Sequence, residues 1–136
     1  METQNFLETV LLSLAIGFVP AYIWLRFWLS EDELHHEPKK TIIVSFIAGL
    51  VSVALAIVIQ KALRDYLGAF LPSITSCSFI LIFIFAAAEE VSKFVMCYIA
   101  ALRTKADAYP IDPVLYLITT ALGFAALENT LYIYNL

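Results

Sequence analysis

In the stretch Phe85-Ala86-Ala87-Ala88-Glu89-Glu90-Val91-Ser92-Lys93-Phe94, three charged residues lie within a hydrophobic run long enough to cross a bilayer. A charged side chain near the centre of a membrane helix costs about 2.5–3.5 kcal/mol on insertion scales. Such residues usually face the interior of a helix bundle or a water-filled cavity. We therefore expect this stretch to form part of a functional site.

The composition of the 136-residue chain is that of a membrane protein. Hydrophobic residues make up 62% of the chain and charged residues only 15%, and the mean hydropathy is +0.86. These values predict an integral membrane protein, with the lipid bilayer as its main surrounding. The eight Lys and Arg residues are scattered and the net charge is −4, so nucleic-acid binding is not expected.

Four apolar segments predict an all-α fold, a polytopic bundle of about four transmembrane helices in a single domain. The predicted helices cover residues 6–29, 41–59, 73–102 and 113–134, with a connector at 60–71. Asp112-Pro113 is typical of an N-cap followed by proline at the first helical position. The second helix should also pack closely on a neighbour, because it carries the small residues Ser45, Ala48, Gly49, Ser52 and Ala56.

The basic residues near the helix ends predict the orientation of the chain. Two of them lie in the second connector and five lie in or beside the first and third: Lys61 and Arg64, against Arg26, Lys39, Lys40, Arg103 and Lys105. Loops rich in Lys and Arg stay on the cytoplasmic side of a membrane. Both termini are therefore expected on the outer side.

The charged residues of the third and fourth helices are predicted to lie at the same depth. Glu89 is 13 residues from Leu102 and Glu128 is 15 residues from Pro113, which places each carboxyl about 20 Å from the cytoplasmic end. At about 100° per residue, Lys93 falls between Glu89 and Glu90 on one face of its helix. We expect these four side chains to form one buried acidic layer.

Such a layer has the groups needed for acid–base chemistry. Three carboxylates in a low dielectric cannot all ionise cheaply, so at least one should hold a proton while Lys93 keeps another charged. A general base beside a general acid can activate water against a peptide carbonyl, and Asn129 could donate an N–H to the developing oxyanion. The alternative is a structural ion pair between Lys93 and Glu89 or Glu90 that locks the bundle.

The first connector contains the adjacent histidines His35 and His36 among acidic residues. Adjacent histidines in a polar loop do not have the spacing of a metal motif. We therefore predict a solvated loop and no metal site there.

Two motifs resemble those of the PrsW family of intramembrane proteases. Glu89-Glu90-Val91-Ser92-Lys93 is similar to the family's EExxK motif, and Gly123-Phe124-Ala125-Ala126-Leu127-Glu128-Asn129-Thr130-Leu131-Tyr132 is similar to its GFxxxEN segment. The first connector and its flanks are similar too, through Pro20, Asp32, Glu37-Pro38, Phe46 and Gly49. The resemblance covers nearly the whole chain in the family's order.

The resemblance implies a peptidase, that is, a hydrolase of the bacterial cytoplasmic membrane that cuts a membrane-anchored anti-sigma factor on its outer side. The family belongs to a superfamily shared with the CAAX prenyl proteases. By this resemblance Glu89 and Glu90 are the water-activating pair, and Lys93, Glu128 and Asn129 are motif partners. The candidates for substrate-binding or site-shaping residues are Phe124 and Asp112.

The sequence departs from the family pattern at its C-terminus. In related families a further helix brings histidines into this layer, where they are discussed as metal ligands or oxyanion donors. Here the chain stops at Leu136 and its only histidines lie in the first connector, so we expect an incomplete domain. The sequence by itself requires no cofactor, and a divalent metal would need histidines supplied from elsewhere.

Two alternatives from other functional classes stay open at this point. One is a truncated, non-catalytic membrane module that binds partner transmembrane helices through its acidic layer. The other is an ion or proton path, for which an oligomer could supply the pore that four helices lack.

Overall fold

The described residues form four helices. The computed structural model describes residues 2–31, 39–70, 78–103 and 111–135. The helices are α1 (Glu2–Glu31), α2 (Lys39–Phe70), α3 (Ser78–Cys97), which continues into a π-helical turn (Tyr98–Leu102), and α4 (Asp112–Tyr134). Those four ranges contain no β-strand. The prediction of an all-α membrane bundle is therefore confirmed.

Three of the helices are long and apolar enough to cross a membrane, over Phe6–Ser30, Lys39–Ala69 and Asp112–Tyr134. This makes the chain an integral membrane protein. α3 differs because its 20 residues include Glu89, Glu90 and Lys93, yet it packs against α2 and α4 within the same bundle. That α3 also crosses the membrane, and that both termini lie outside, stay predictions.

α4 is the central helix, because it contacts α1, α2 and α3. Two close approaches bring backbone against backbone. A Cβ atom added at Gly49 of α2 would overlap the carbonyl oxygen of Thr120, and one added at Gly123 of α4 would overlap that of Phe46. On the other side of α4, a Cβ added at Gly17 of α1 would overlap the Thr130 hydroxyl. The close packing predicted for the small residues of α2 is confirmed, and these glycines set the distances between the helices.

The buried hydroxyl groups of the bundle bond mainly to their own helices. The Ser13 hydroxyl donates to the Thr9 carbonyl, Ser92 to Ala88 and Thr130 to Ala126, at 2.7–2.8 Å. Thr120 donates to the Tyr116 carbonyl at 2.9 Å, and its hydroxyl also lies 3.2 Å from the Ser45 carbonyl of α2. Bonds of this kind satisfy polar side chains where no bulk water is available.

α2 is longer than the sequence suggested. The helix continues through the predicted connector at 60–71 as far as Phe70. Lys61, Arg64 and Asp65 broke the apolar pattern, but Lys and Arg favour helices, and all three are exposed near one end of the helix. The polar residues therefore mark the edge of the apolar span and not the end of the helix.

The beginning of α4 also differs slightly from the prediction. Ile111 flanks the helix, and Asp112 is its first residue instead of the N-cap, with Pro113 following in the first turn. Pro113 has no N–H to leave unpaired there, as expected. The predicted start of the third helix at 73–77 lies outside the described residues, and so do Asp32, His35, His36 and Glu37-Pro38.

Candidate active site

A cavity of about 280 Å³ lies between α2, α3 and α4. Its acidic groups are Glu89 of α3 and Glu128 of α4, so the prediction that these two carboxyls share one layer is confirmed. The remaining lining is mostly apolar and comes from α2 and from the last turns of α4: Val53, Ala56, Ile57, Gln60, Phe124, Leu131, Tyr132 and Asn135. The cavity thus presents two carboxyl groups beside an apolar wall.

Glu89 is half-buried and is connected to α2. The side-chain amide of Gln60 donates from Nε2 to Glu89 Oε1 at 2.8 Å. The same nitrogen lies 3.4 Å from the carbonyl oxygen of Phe85, one turn earlier in α3. The Glu89 carboxyl therefore has a defined position on the cavity wall.

Glu128 lines the same cavity from α4 and is exposed in this chain. Its carboxyl interacts electrostatically with two groups of α3: the Glu89 carboxyl repels its negative charge and the Lys93 ammonium attracts it. Glu128 is therefore in electrostatic range of one carboxyl group and one ammonium group of α3.

Lys93 is held by two neighbours. Its ammonium forms an ion pair with Glu90 Oε1 at 2.5 Å and lies 4.7 Å from the centre of the Phe124 ring. The structural ion pair weighed from the sequence therefore exists, at i,i+3 with Glu90. Glu90 and Lys93 line a second groove, between α3 and α4, together with Phe94, Leu117, Ile118 and Ala121. Phe124 thus links the cavity and the groove, since it lines the cavity and its ring contacts the Lys93 ammonium.

The expectation of a buried glutamate pair is wrong for Glu90, whose side chain is 74% exposed. Successive residues of a helix point about 100° apart, so the rotation of α3 that directs Glu89 into the cavity turns Glu90 to the outer surface. Glu128 is exposed as well. The acidic layer is therefore an edge of this bundle and not its centre.

Two other candidate residues lie away from the cavity. Asn129 is exposed and is not among the lining residues, although it follows Glu128 directly. Asp112 is buried at the other end of α4, 16 residues from Glu128, or about 24 Å along the helix axis. At that distance Asp112 does not shape the cavity.

Sequence reasoning missed Gln60, Tyr132 and Asn135 as lining residues. The apolar run ends at Ile59, so the sequence pattern predicts that Gln60 lies in a connector. A helical signal was nevertheless present: Ala56, Gln60 and Arg64 follow one another at intervals of four residues, which puts them on one face if the helix continues.

We expect the Lys93–Phe124 contact to couple the two helices measurably. A desolvated cation–π contact contributes about 0.5–2 kcal/mol, so a double-mutant cycle with Lys93→Met and Phe124→Leu should give a coupling energy in that range. The measurement is reversible unfolding in mixed micelles. Phe94→Leu is the control, because Phe94 is 54% exposed and lies outside this contact; a coupling energy near zero for the Lys93–Phe124 pair would contradict the contact.

The fold and the cavity together define a class: a helical membrane protein with two carboxyl groups on a lateral cavity. Within that class, the model of the family described as "PrsW family intramembrane metalloprotease" matches residues 37–136. The chain belongs to the PrsW family, which supports a peptidase-type role. Comparison with curated proteins and with solved structures gives no significant match.

The family description implies a metal ion. The cavity supplies two carboxyl groups, and the described ranges contain no group of three or more His, Cys, Asp or Glu side chains that could hold a metal. Catalytic zinc sites usually have three protein ligands. The described part of the chain therefore does not by itself provide a typical ligand set.

Proposed function

We propose that this chain is a glutamate-dependent intramembrane peptidase that hydrolyses a peptide bond in a membrane-anchored protein. The observation that supports this function best is the shared cavity of Glu89 and Glu128, with Lys93 in electrostatic range of Glu128. Membership of an intramembrane protease family supports the same reaction class.

In the proposed reaction Glu89 is the general base and Glu128, in its acid form, is the general acid. Glu89 takes a proton from a water molecule, and the water oxygen attacks the carbonyl carbon of the scissile peptide. The tetrahedral intermediate then collapses as Glu128 donates its proton to the leaving nitrogen. The C–N bond breaks, and the products are a carboxylic acid and an amine.

Lys93 and Glu90 have supporting roles in this proposal. The Lys93 ammonium, held by Glu90 and by the Phe124 ring, stabilises negative charge that develops near the two carboxyls. Glu90 thus serves the site by fixing Lys93 and not by activating water. Asn129 has no step in this reaction, because it does not line the cavity.

The proposed substrate is a membrane-anchored protein such as an anti-sigma factor, as the family resemblance implies. Val53, Ala56 and Ile57 form an apolar wall beside the carboxyls. Such a wall suits an extended substrate segment that carries aliphatic side chains, which is the composition of a sequence at the edge of a transmembrane anchor.

The proposed function is tested with the purified chain in liposomes and a membrane-anchored anti-sigma factor in water enriched in ¹⁸O. Hydrolysis should yield two fragments, with one ¹⁸O atom in the new terminal carboxyl group, as measured by mass spectrometry. A variant with both Glu89→Gln and Glu128→Gln should yield no fragments. Equal cleavage by this variant, or no cleavage by the wild-type chain, would contradict the proposal.

A non-catalytic function is the second candidate, because Glu90, Glu128 and Asn129 are exposed on adjoining helices of a membrane bundle. Exposed polar groups on a membrane helix favour contact with the polar groups of a partner helix. This function predicts that the double variant co-purifies less with its partner and that neither form cleaves it. The same liposome preparations distinguish the two candidates.

A further inference from the structure

Gln60 is the polar side chain that α2 contributes to the cavity lined by Glu89 and Glu128. The other α2 residues on its wall are Val53, Ala56 and Ile57, all apolar. Gln60 is partly buried, and its amide nitrogen donates to Glu89 Oε1 at 2.8 Å. Its second, longer contact is with the carbonyl oxygen of Phe85 at 3.4 Å. One side chain of α2 therefore contacts both the carboxyl group and the backbone of α3.

The neighbouring turn of α2 supports this arrangement. Arg64 lies four residues after Gln60, and its guanidinium is 5.2 Å from the centre of the Phe85 ring. Phe85 in turn lies four residues before Glu89. Two consecutive turns of α2 thus contact two consecutive turns of α3, which fixes both the register and the rotation of α3. The rotation decides that Glu89, and not Glu90, faces the cavity.

The donor to Glu89 is uncharged, and this matters for a base. Lys93 lies one turn after Glu89 but is engaged by Glu90 and by the Phe124 ring. An ammonium paired with Glu89 would compensate its negative charge and weaken its attraction for a proton. A neutral amide on one oxygen fixes the direction of the carboxylate, while the second oxygen keeps its lone pairs for a water molecule.

We propose that Gln60 is a positioning residue that holds the Glu89 carboxylate towards the cavity, an inference that rests on the proposed peptidase function. Gln60 does not touch the reacting atoms and acts through Glu89. Its loss leaves substrate binding in place, because the apolar wall is unchanged. The loss lowers the rate of the chemical step, because the base is free to leave the geometry in which it meets the water.

The hydrogen bond itself is tested by NMR, independently of activity. The chain contains only two glutamines, Gln4 and Gln60, so ¹⁵N-glutamine labelling in nanodiscs gives two pairs of side-chain amide signals. One proton of the Gln60 pair should be shifted downfield, and the shift should disappear in Glu89→Leu. Glu90→Leu is the matched control, because it removes the adjacent carboxyl but not the acceptor. A Gln60 pair that does not respond to Glu89→Leu overturns the proposal.

The positioning role is tested by the kinetics of Gln60→Leu, which keeps the approximate volume but removes the donor. We expect kcat to fall by about 10-fold to 100-fold with KM unchanged, because a misplacement of about 1 Å in a reacting group can lower the rate by about 100-fold. Gln60→His should recover most of the loss, since its ring N–H reaches a similar distance. Lys61→Leu, at the next and exposed position, should cleave like the wild-type chain.

The outcomes separate this inference from the function on which it rests. An active wild-type chain together with an equally active Gln60→Leu variant overturns the positioning role alone. An equal loss of kcat in Gln60→Leu and Gln60→His points to packing and also overturns it. A wild-type chain that does not cleave the substrate contradicts the peptidase function. That result also overturns the role of Gln60 in catalysis.

Discussion

Replacing either Glu89 or Glu128 with glutamine is expected to lower kcat by about 10²–10⁴-fold, the contribution typical of one general acid or base. Glutamine keeps the shape of the side chain but neither takes up nor releases a proton at neutral pH. Each variant should therefore accumulate in the membrane with wild-type helix content, as measured by circular dichroism. The comparison of kcat requires initial rates of fragment formation at saturating substrate.

The matched control for both variants is Glu8→Gln, because Glu8 is an exposed carboxyl of α1 outside the cavity. Its cleavage rate should equal that of the wild-type chain. A Glu128→Gln variant with the wild-type rate would remove the general acid from the proposal. A Glu89→Gln variant with the wild-type rate would contradict the glutamate mechanism as a whole.

Gly123→Ala is expected to destabilise the bundle, whereas Gly68→Ala is expected to stabilise it. A Cβ at Gly123 meets backbone of α2, namely the Phe46 carbonyl and the Cα of Gly49, and backbone cannot move as a side-chain tip can. Overpacking of this kind costs about 1–3 kcal/mol. At Gly68 no atom lies within 4 Å of the added Cβ, so alanine should add about 0.5–1 kcal/mol through its better helix propensity.

The two alanine variants are compared by their free energies of unfolding in mixed micelles. Both variants replace glycine with alanine. Changes of opposite sign in their free energies of unfolding would therefore attribute the loss in Gly123→Ala to the contact between α2 and α4. Gly123→Ala should also reduce cleavage, because Phe124 and Glu128 follow in the same helix and move with it. Equal stability of the two variants would mean that the backbones of α2 and α4 do not meet at Gly49 and Gly123.

The elements of the fold could be predicted from hydropathy, since an apolar segment in a membrane must satisfy its own backbone as a helix. The meeting of Glu89 and Glu128 could be predicted as well, because a helix rises by a constant distance per residue. The depth of a residue in the membrane can therefore be estimated by counting residues from the end of its helix.

Rotation about the helix axis could not be predicted in the same way. The sequence placed Glu89, Glu90 and Lys93 on one face, but it did not decide which of the two carboxyls enters the cavity and which pairs with Lys93. Contacts between helices decide it, above all the hydrogen bond from Gln60 to Glu89. That bond could not be predicted, because the polar residues near the end of α2 have the pattern of a connector between helices.

The length of α2 has a consequence for the water that the proposed hydrolysis would consume. Its 32 residues extend over about 48 Å, whereas the hydrocarbon core of a bilayer is about 30 Å thick. If Lys39 lies among the headgroups on one side, Gln60, about 32 Å further along the helix, reaches the headgroup boundary on the other. Glu89 is bonded to Gln60 and therefore lies at the same boundary. Under the proposed function, the site then takes its water from the membrane surface, and the bond that is cut belongs to the rim of the substrate's anchor and not to its middle.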